Sequence, residues 1–448
     1  ARHERQMVGE YTHPTTQFSS FCGLAPLWRC AIGFGARMTG KLKLLAWSDS
    51  VLAATGFGTV SRHVLAELHK TGRYQIDQLA INYRGESFDA NRFPYQLTPA
   101  HLLDPSDPFG RTQLIQALQR TDHDILWILN NTEIVEPVVG ELEKLQAARR
   151  ARGIRPLKII YYYPVDSTIN PLMSRIIALA DAPVAYTEFG RRETLRLMPQ
   201  VEGKLRVIYH GCDTQNFYPL GASARQSIRA QHLNIPDPST YLIVNVNRNL
   251  TRKDMPRCIL AYREFKKRVP NSRLYLHCEV VEFGVDLQQC CRALGLNNGS
   301  IDVVFPAGLR LINGGVPLEA LNAIYNCADV FFTTTLGEGW GLTMTEAMSA
   351  GTPVIAPDNS SMPEILGGDR NRGYVYPCKE QVWVDHAYRP LGLLADIVAK
   401  LHECHEQRGT LPQREMIARA QQFAREQSWP VVCKNWVALF EDVMRIPG

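Results

Sequence analysis

Two carboxylates, Glu338 and Glu346, enclose seven residues in the run LGEGWGLTMTEAM, Leu336 to Met348. Two cations, Arg248 and Lys253, stand five apart in RNLTRK. Ionised carboxylates accept hydrogen bonds from hydroxyl groups, whereas an arginine fork beside a lysine point charge suits a diphosphate. Gly339 and Gly341 flank Trp340 and let backbone come close to a ligand. Thr343 with Glu346 three residues on spells a capping box, so a helix is expected to start here and to aim its N–H groups and dipole at an anion. Gly351 and Pro353 then end that helix. The plainer alternative is that Glu346 only caps the helix, Glu338 is a loop carboxylate, and the cations are surface groups.

Elements that could position these residues alternate along the chain. Apolar strands are expected at Lys43–Trp47, Tyr74–Tyr83, Asp124–Leu129, Lys158–Tyr163, Pro183–Thr187, Tyr241–Asn247, Arg273–His277, Ile301–Phe305, Ala328–Thr335, Pro353–Ala356 and Gly373–Tyr376. Helical patterns at Val60–Lys70, Arg111–Arg120, Ile134–Arg152, Met255–Lys267, Leu318–Cys327, 391–407 and 413–427 lie between or after them. Strand–helix alternation predicts an α/β architecture of doubly wound, Rossmann-like sheets. Residues 86–110 and 378–390 read as irregular.

The first strand runs into Gly56-Phe-Gly58 before a helix. This is a phosphate-type turn without the third glycine of a dinucleotide fingerprint, so a tight turn with no ligand stays open. Asp122-His-Asp124 has a metal-site look but precedes a strand, and no metal role is expected. The run from Arg149 to Arg155 reads as a solvated helix end. Asp166, just past a strand, is placed for acceptor binding, for catalysis or for capping a turn. His210 reads as structural.

The chain has 448 residues, 45% apolar and 21% charged, with a net charge of +5. That length allows two domains with sizeable cores. The mild positive charge suits anionic ligands and does not call for nucleic acid. Apolar runs are too short to span a bilayer. Eleven cysteines without metal-type spacing suggest reduced thiols in the cytoplasm.

The stretch from Glu338 to the EAMSAGTPVIA run resembles the E-x7-E region of retaining GT-B glycosyltransferases of the family-4 type, the glycosyl transferases group 1. Arg248 and Lys253 resemble that family's phosphate-binding pair, and Val207 to Pro219 resembles the segment closing its first domain. The resemblance covers about residues 41–446. It implies a GT-B fold: an N-terminal acceptor domain, 38–218, a C-terminal nucleotide-sugar domain, 219–427, and a closing helix, 428–448, that returns to the first domain. Residues 1–37 stand apart as an extension.

It also implies retaining, metal-independent transfer of a sugar from a nucleotide-diphosphate donor to an acceptor glycan, lipid or small molecule, with no cofactor. Glu338, Arg248, Lys253 and Asp166 are the expected catalytic residues. Glu346, Gly339, Trp340, Gly341, Leu342, Thr343, Gly56 and Gly58 are the expected donor contacts, and Asn359, Ser360 and Ser361 add phosphate contacts. The histidine many relatives carry in the first domain is missing from the strand ends, which hold Asn130-Asn131 and Pro164-Val-Asp166. Basic segments permit contact with a membrane surface. A nucleotide-sugar 2-epimerase and a non-catalytic binding protein of the same fold are the alternatives.

Overall fold

The computed structural model describes residues 40–282, 285–296, 302–306 and 315–445. The extension 1–37 lies outside the described residues, as does Ile301 of the eighth expected strand. Two parallel sheets form the frame. The first has seven strands in the spatial order Gln96–Pro99, Tyr74–Ile81, Leu42–Asp49, Ile125–Leu129, Lys158–Tyr163, Ala182–Ala185 and Arg206–Val207. The second has six, ordered Val303–Val304, Ser272–His277, Tyr241–Val246, Val330–Phe332, Val354–Pro357 and Tyr374–Tyr376.

The central strands, such as Ile125–Leu129 and Tyr241–Val246, are buried along their whole length. That is why they read as continuous apolar runs and need helices on both faces. In each sheet the strand order reverses once, between Leu42–Asp49 and Ile125–Leu129 and between Tyr241–Val246 and Val330–Phe332. Loops leaving the carboxyl ends at such reversals border a crevice where ligands bind. The glycine turn, the Arg248–Lys253 run and the Glu338 loop all leave from these strands.

The two halves share one apolar core. It joins Trp127 and Tyr162 of the first sheet to Trp340 and Met344 of the second half and to Trp429 and Trp436 of the last helix. That helix, Trp429–Arg445, packs back on the first sheet: Trp436 meets Tyr162 at a centroid distance of 4.6 Å and Trp127 at 5.9 Å. Two crossing segments touch through a bridge between Cys212 and Ser428, and a side chain at Gly211 would lie 2.3 Å from the Trp429 ring.

Three expectations need correcting. Residues 86–110 contribute an edge strand, Gln96–Pro99, parallel to Asp77–Ala80. Residues 378–390 are not irregular. They build an antiparallel hairpin, Cys378–Val384 with Ala387–Gly392, whose turn residues Asp385 and His386 have φ of 50° and 62°. Two positive φ angles suit the twist of a two-residue hairpin, and Asp-His supplies them without the usual glycine. Finally, the first helix begins at Gly56 rather than Val60, so the glycine turn is its first turn.

Candidate active site

Gly58 is demanded by close approach, because a side chain there would lie 2.4 Å from the Ala53 carbonyl oxygen. Thr55 caps this helix, accepting from the Gly58 N–H at 3.0 Å while its hydroxyl donates to Asp49 at 2.5 Å. Gly56 faces the other half, 3.4 Å from Leu342 at a Cβ built on it. Two helix starts, Gly56–Lys70 and Leu342–Ala350, therefore confront each other. A helix start offers backbone N–H groups and the positive end of the helix dipole to an anion.

Entry into the second helix differs from the expected capping box. Gly341, with φ of 97°, starts the helix at Leu342, and no side chain caps it. Thr343 is already helical, and Glu346 is not turned back to the helix start: its Oε2 accepts from the Tyr325 hydroxyl at 2.6 Å. Burial raises the Glu346 carboxyl to about 7; the Tyr325 hydroxyl lowers it and nearby Asp213 raises it further. Glu346 borders a cavity of about 30 Å³ that Arg62, Asp213 and Trp429 also line.

Glu338 forms the centre of the charged cluster. Lys253 Nζ pairs with its Oε1, and Arg252 Nη1 lies 3.5 Å from its Oε2. Burial alone would raise this carboxyl, but the Lys253 and Arg252 charges outweigh it and hold the group well below the usual carboxylate range. Arg252 also donates to the Gly337 carbonyl at 2.8 Å and lies 3.6 Å from Asp166 Oδ2. Asp166 Oδ1 is 3.2 Å from Arg389, a residue of the hairpin. Both Asp166 oxygens are thus occupied by cations. Asp166 also belongs to a close approach between the halves: a side chain at Gly337 would come within 2.1 Å of its carbonyl oxygen, and one at Gly339 within 2.8 Å of Pro164.

Arg248 stands apart from this cluster. Its side chain is 51% exposed and pairs with Glu282, Nε donating at 2.8 Å. Its charge also acts on Asp49 across the cleft. Trp340, expected at the donor, has its side chain in the interdomain core instead, 2% exposed and 5.1 Å from Tyr209 and 5.8 Å from His210 by ring centroids. The expected phosphate contacts Asn359, Ser360 and Ser361 hold the loop itself. The Glu338 N–H donates to Ser360 at 2.9 Å, Ser361 donates to the Glu338 and Trp340 carbonyls, and Asn359 donates to Thr335.

His210 is buried, hydrogen-bonded to the Tyr162 hydroxyl at 2.5 Å, and pushed down to about 3 by burial. The Asp122-His-Asp124 run is spent on structure: His123 meets Asp77, Asp124 accepts from the Lys43 N–H, and Asp122 faces Arg149. Among the described residues no group of three or more His, Cys, Asp or Glu could hold a metal, and no helix is long and apolar enough to cross a membrane.

The sequence model of glycosyl transferases group 1 matches residues 310–387, the span that carries the Glu338 loop, the Leu342 helix and the first strand of the hairpin. Over that span the chain is similar to the glycosyl transferases group 1 family. The chain is similar to alpha-maltose-1-phosphate synthase of Mycobacterium tuberculosis, with 26% identity over 191 residues, 42% of the chain and 47% of the relative. It therefore spans about half the length of that curated relative. It is also similar to a GDP-mannose-dependent alpha-(1-6)-phosphatidylinositol monomannoside mannosyltransferase of Mycolicibacterium smegmatis, 25% identical over 72% of the chain and 82% of the relative. Among solved structures, a glycosyltransferase from Rickettsia africae overlays with a TM-score of 0.65 at 13% identity, covering 90% of the chain and 99% of that structure. The fold is GT-B.

Three residues of this region were not singled out from sequence. Arg252 was passed over beside Lys253, although its place in the same cation run was a usable signal. Asp49 sits at the end of the first strand, where strand-end position alone marks it. Arg389 had no signal, because its hairpin was not recognised.

Proposed function

We propose that this chain transfers a sugar from a nucleotide-diphosphate donor to an acceptor hydroxyl, with retention at the anomeric carbon and without a metal. The observation that carries the reading is the cluster of Glu338, Lys253 and Arg252 beside the start of the Leu342 helix, opposite the Gly56 turn. Breaking the sugar–phosphate bond places negative charge on the departing diphosphate. Fixed cations and helix N–H groups aimed at that charge stabilise it without reorganising. Lys253 and Arg252 are already in place, and Arg248 reaches the diphosphate by leaving Glu282.

Glu338 orients the sugar as positive charge develops at its anomeric carbon, and Glu346 accepts from the ribose. The acceptor hydroxyl attacks from the face the diphosphate leaves, and the departing phosphate oxygen takes its proton. This removes the need for a base on the first domain, where both Asp166 oxygens face arginines and His210 is sealed in the core. The GDP-mannose dependence of the M. smegmatis relative supports a nucleotide-diphosphate donor. Acceptors of the glycan, lipid or small-molecule classes all fit the reading. The nine described cysteines, all free thiols, suit a reducing cytoplasm, and a lipid acceptor would bring the protein to a membrane surface.

The test is a panel of nucleotide sugars in EDTA, read by thermal shift and by mass spectrometry of products. One donor is expected to stabilise the chain, by about 2.7 kcal/mol at a hundredfold excess over Kd, and to be consumed slowly by hydrolysis. Isomerised nucleotide sugar would mark a 2-epimerase instead. Binding without any product would mark a binding protein, and no binding to any donor would end the proposal.

A further inference from the structure

Resting on that reading, we propose that Arg389 of the 378–392 hairpin is a positioning residue for the transfer. It acts through Asp166 to set Arg252 against Glu338. The hairpin is an appendage to the second half, pairing only with itself among the described residues. Its large side chains Trp383 and Tyr388 face solvent. Arg389 is the charged residue of the hairpin that is buried, with a side chain only 5% exposed.

The guanidinium is fixed at three points. Nε donates to the Val384 carbonyl at 3.2 Å, Nη1 to the Asp166 carbonyl at 3.3 Å, and Nη2 to Asp166 Oδ1 at 3.2 Å. The first contact ties it to its own hairpin and the other two to the opposite half. Asp166 Oδ2 then faces Arg252 Nε at 3.6 Å, and Arg252 Nη1 reaches the Gly337 carbonyl and Glu338. The chain of contacts runs from hairpin to Asp166, to Arg252, to Glu338, and meets Lys253 there.

Charges explain why such an arrangement needs an outside support. Three cations, Arg252, Lys253 and Arg389, surround two carboxylates, Asp166 and Glu338. The Arg252 charge is useful to the donor only if its side chain points into the cleft. Without Arg389, Asp166 has a single cationic partner and draws Arg252 toward itself and away from Glu338. Arg389 satisfies one Asp166 oxygen and so leaves Arg252 shared between both carboxylates. The arginine fork suits this task because it bonds a carbonyl and a carboxylate at once. Asp166 lies in the first domain and Arg389 in the second, so the arrangement is complete only when the halves are apposed.

The test uses the full chain and the donor that stabilises it in the panel, with donor consumption as the rate. Wild-type binding and turnover are established first; their absence overturns the proposed function and this inference with it, whereas the variants below test the inference alone. Given that turnover, Arg389→Gln and Asp166→Asn should each lower kcat about tenfold and change the donor KM less than about twofold. The double variant should be no slower than either single one, because both remove the same orientation of Arg252. Multiplied losses, an effect on KM alone, or an unchanged kcat in Arg389→Gln would overturn the inference. Arg389→Lys keeps the charge but loses the fork, and should lower kcat about threefold. If Arg389→Gln does not fold, this variant decides, and wild-type kcat in it refutes the role.

Discussion

Replacing Glu346 with glutamine should alter how stability depends on pH, in a direction opposite to that of an ion-paired carboxylate. The wild-type carboxyl is raised by burial from an ordinary 4.5 to about 7. Below pH 4.5 it is protonated in folded and unfolded chains alike and contributes no pH dependence. Between pH 4.5 and 7 the unfolded chain releases the proton while the folded chain keeps it, so stability falls as pH rises, and it levels off above 7. At about 1.4 kcal/mol per tenfold change, the full loss is on the order of 3 kcal/mol, an upper bound because Glu346 borders a cavity. Glutamine has no charge to desolvate and can still accept from Tyr325. The measurement is Tm from pH 5 to pH 8 for wild type and Glu346→Gln, taken as a difference so that other carboxylates cancel. At this chain length about 1–2 °C accompanies each kcal/mol, so the variant should gain several degrees relative to wild type across the range. Parallel curves, or a variant that loses ground as pH rises, would refute the reasoning.

Glu338→Gln should slow donor turnover on the order of a hundredfold, with the folded chain retained in circular dichroism. Lys253→Met leaves Glu338 with Arg252 alone and should cost roughly 3 kcal/mol in denaturant unfolding; pairing it with Glu338→Leu should recover part of that stability and none of the activity. Gly58→Ala drives a methyl group into the Ala53 carbonyl and should cost about 1–3 kcal/mol in the same assay. Glu364 of the second half accepts from the Glu188 and Phe189 N–H groups at 2.9 and 3.0 Å, capping a helix of the first half. Glu364→Gln should therefore weaken that helix start by about 1 kcal/mol and speed amide exchange at residues 188–191.

The frame was readable because fully buried parallel strands leave uninterrupted apolar runs, and because strand and helix alternate. The Glu338 loop was readable for a local reason: its glycines, carboxylates and helix start follow one another within a few residues. What escaped notice depends on distance along the chain. Trp340 sits between two glycines and looks poised for a ligand, yet His210 and Tyr209, far back in sequence, supply its packing. The hairpin turn uses Asp385-His386, where an Asn-Gly pair would have marked it. Ser360 and Ser361 look like phosphate donors until the loop they hold is seen beside them. Arg248 and Arg252 could not be ranked by spacing, since only the fold puts Glu282 beside one and Glu338 beside the other.

The return of the Trp429–Arg445 helix bears on how this protein is made. The first sheet is complete in sequence by Val207, but Trp436 and Phe440, which cover Tyr162, Trp127 and Tyr74, come more than two hundred residues later. During synthesis the early sheet must wait with that apolar face open while the whole second half emerges, at about 5–20 residues per second. The first half is thus committed to waiting on the order of ten seconds or more for its own last side chains. Over that interval its uncovered aromatic face is where chaperones, or another nascent chain, would first take hold.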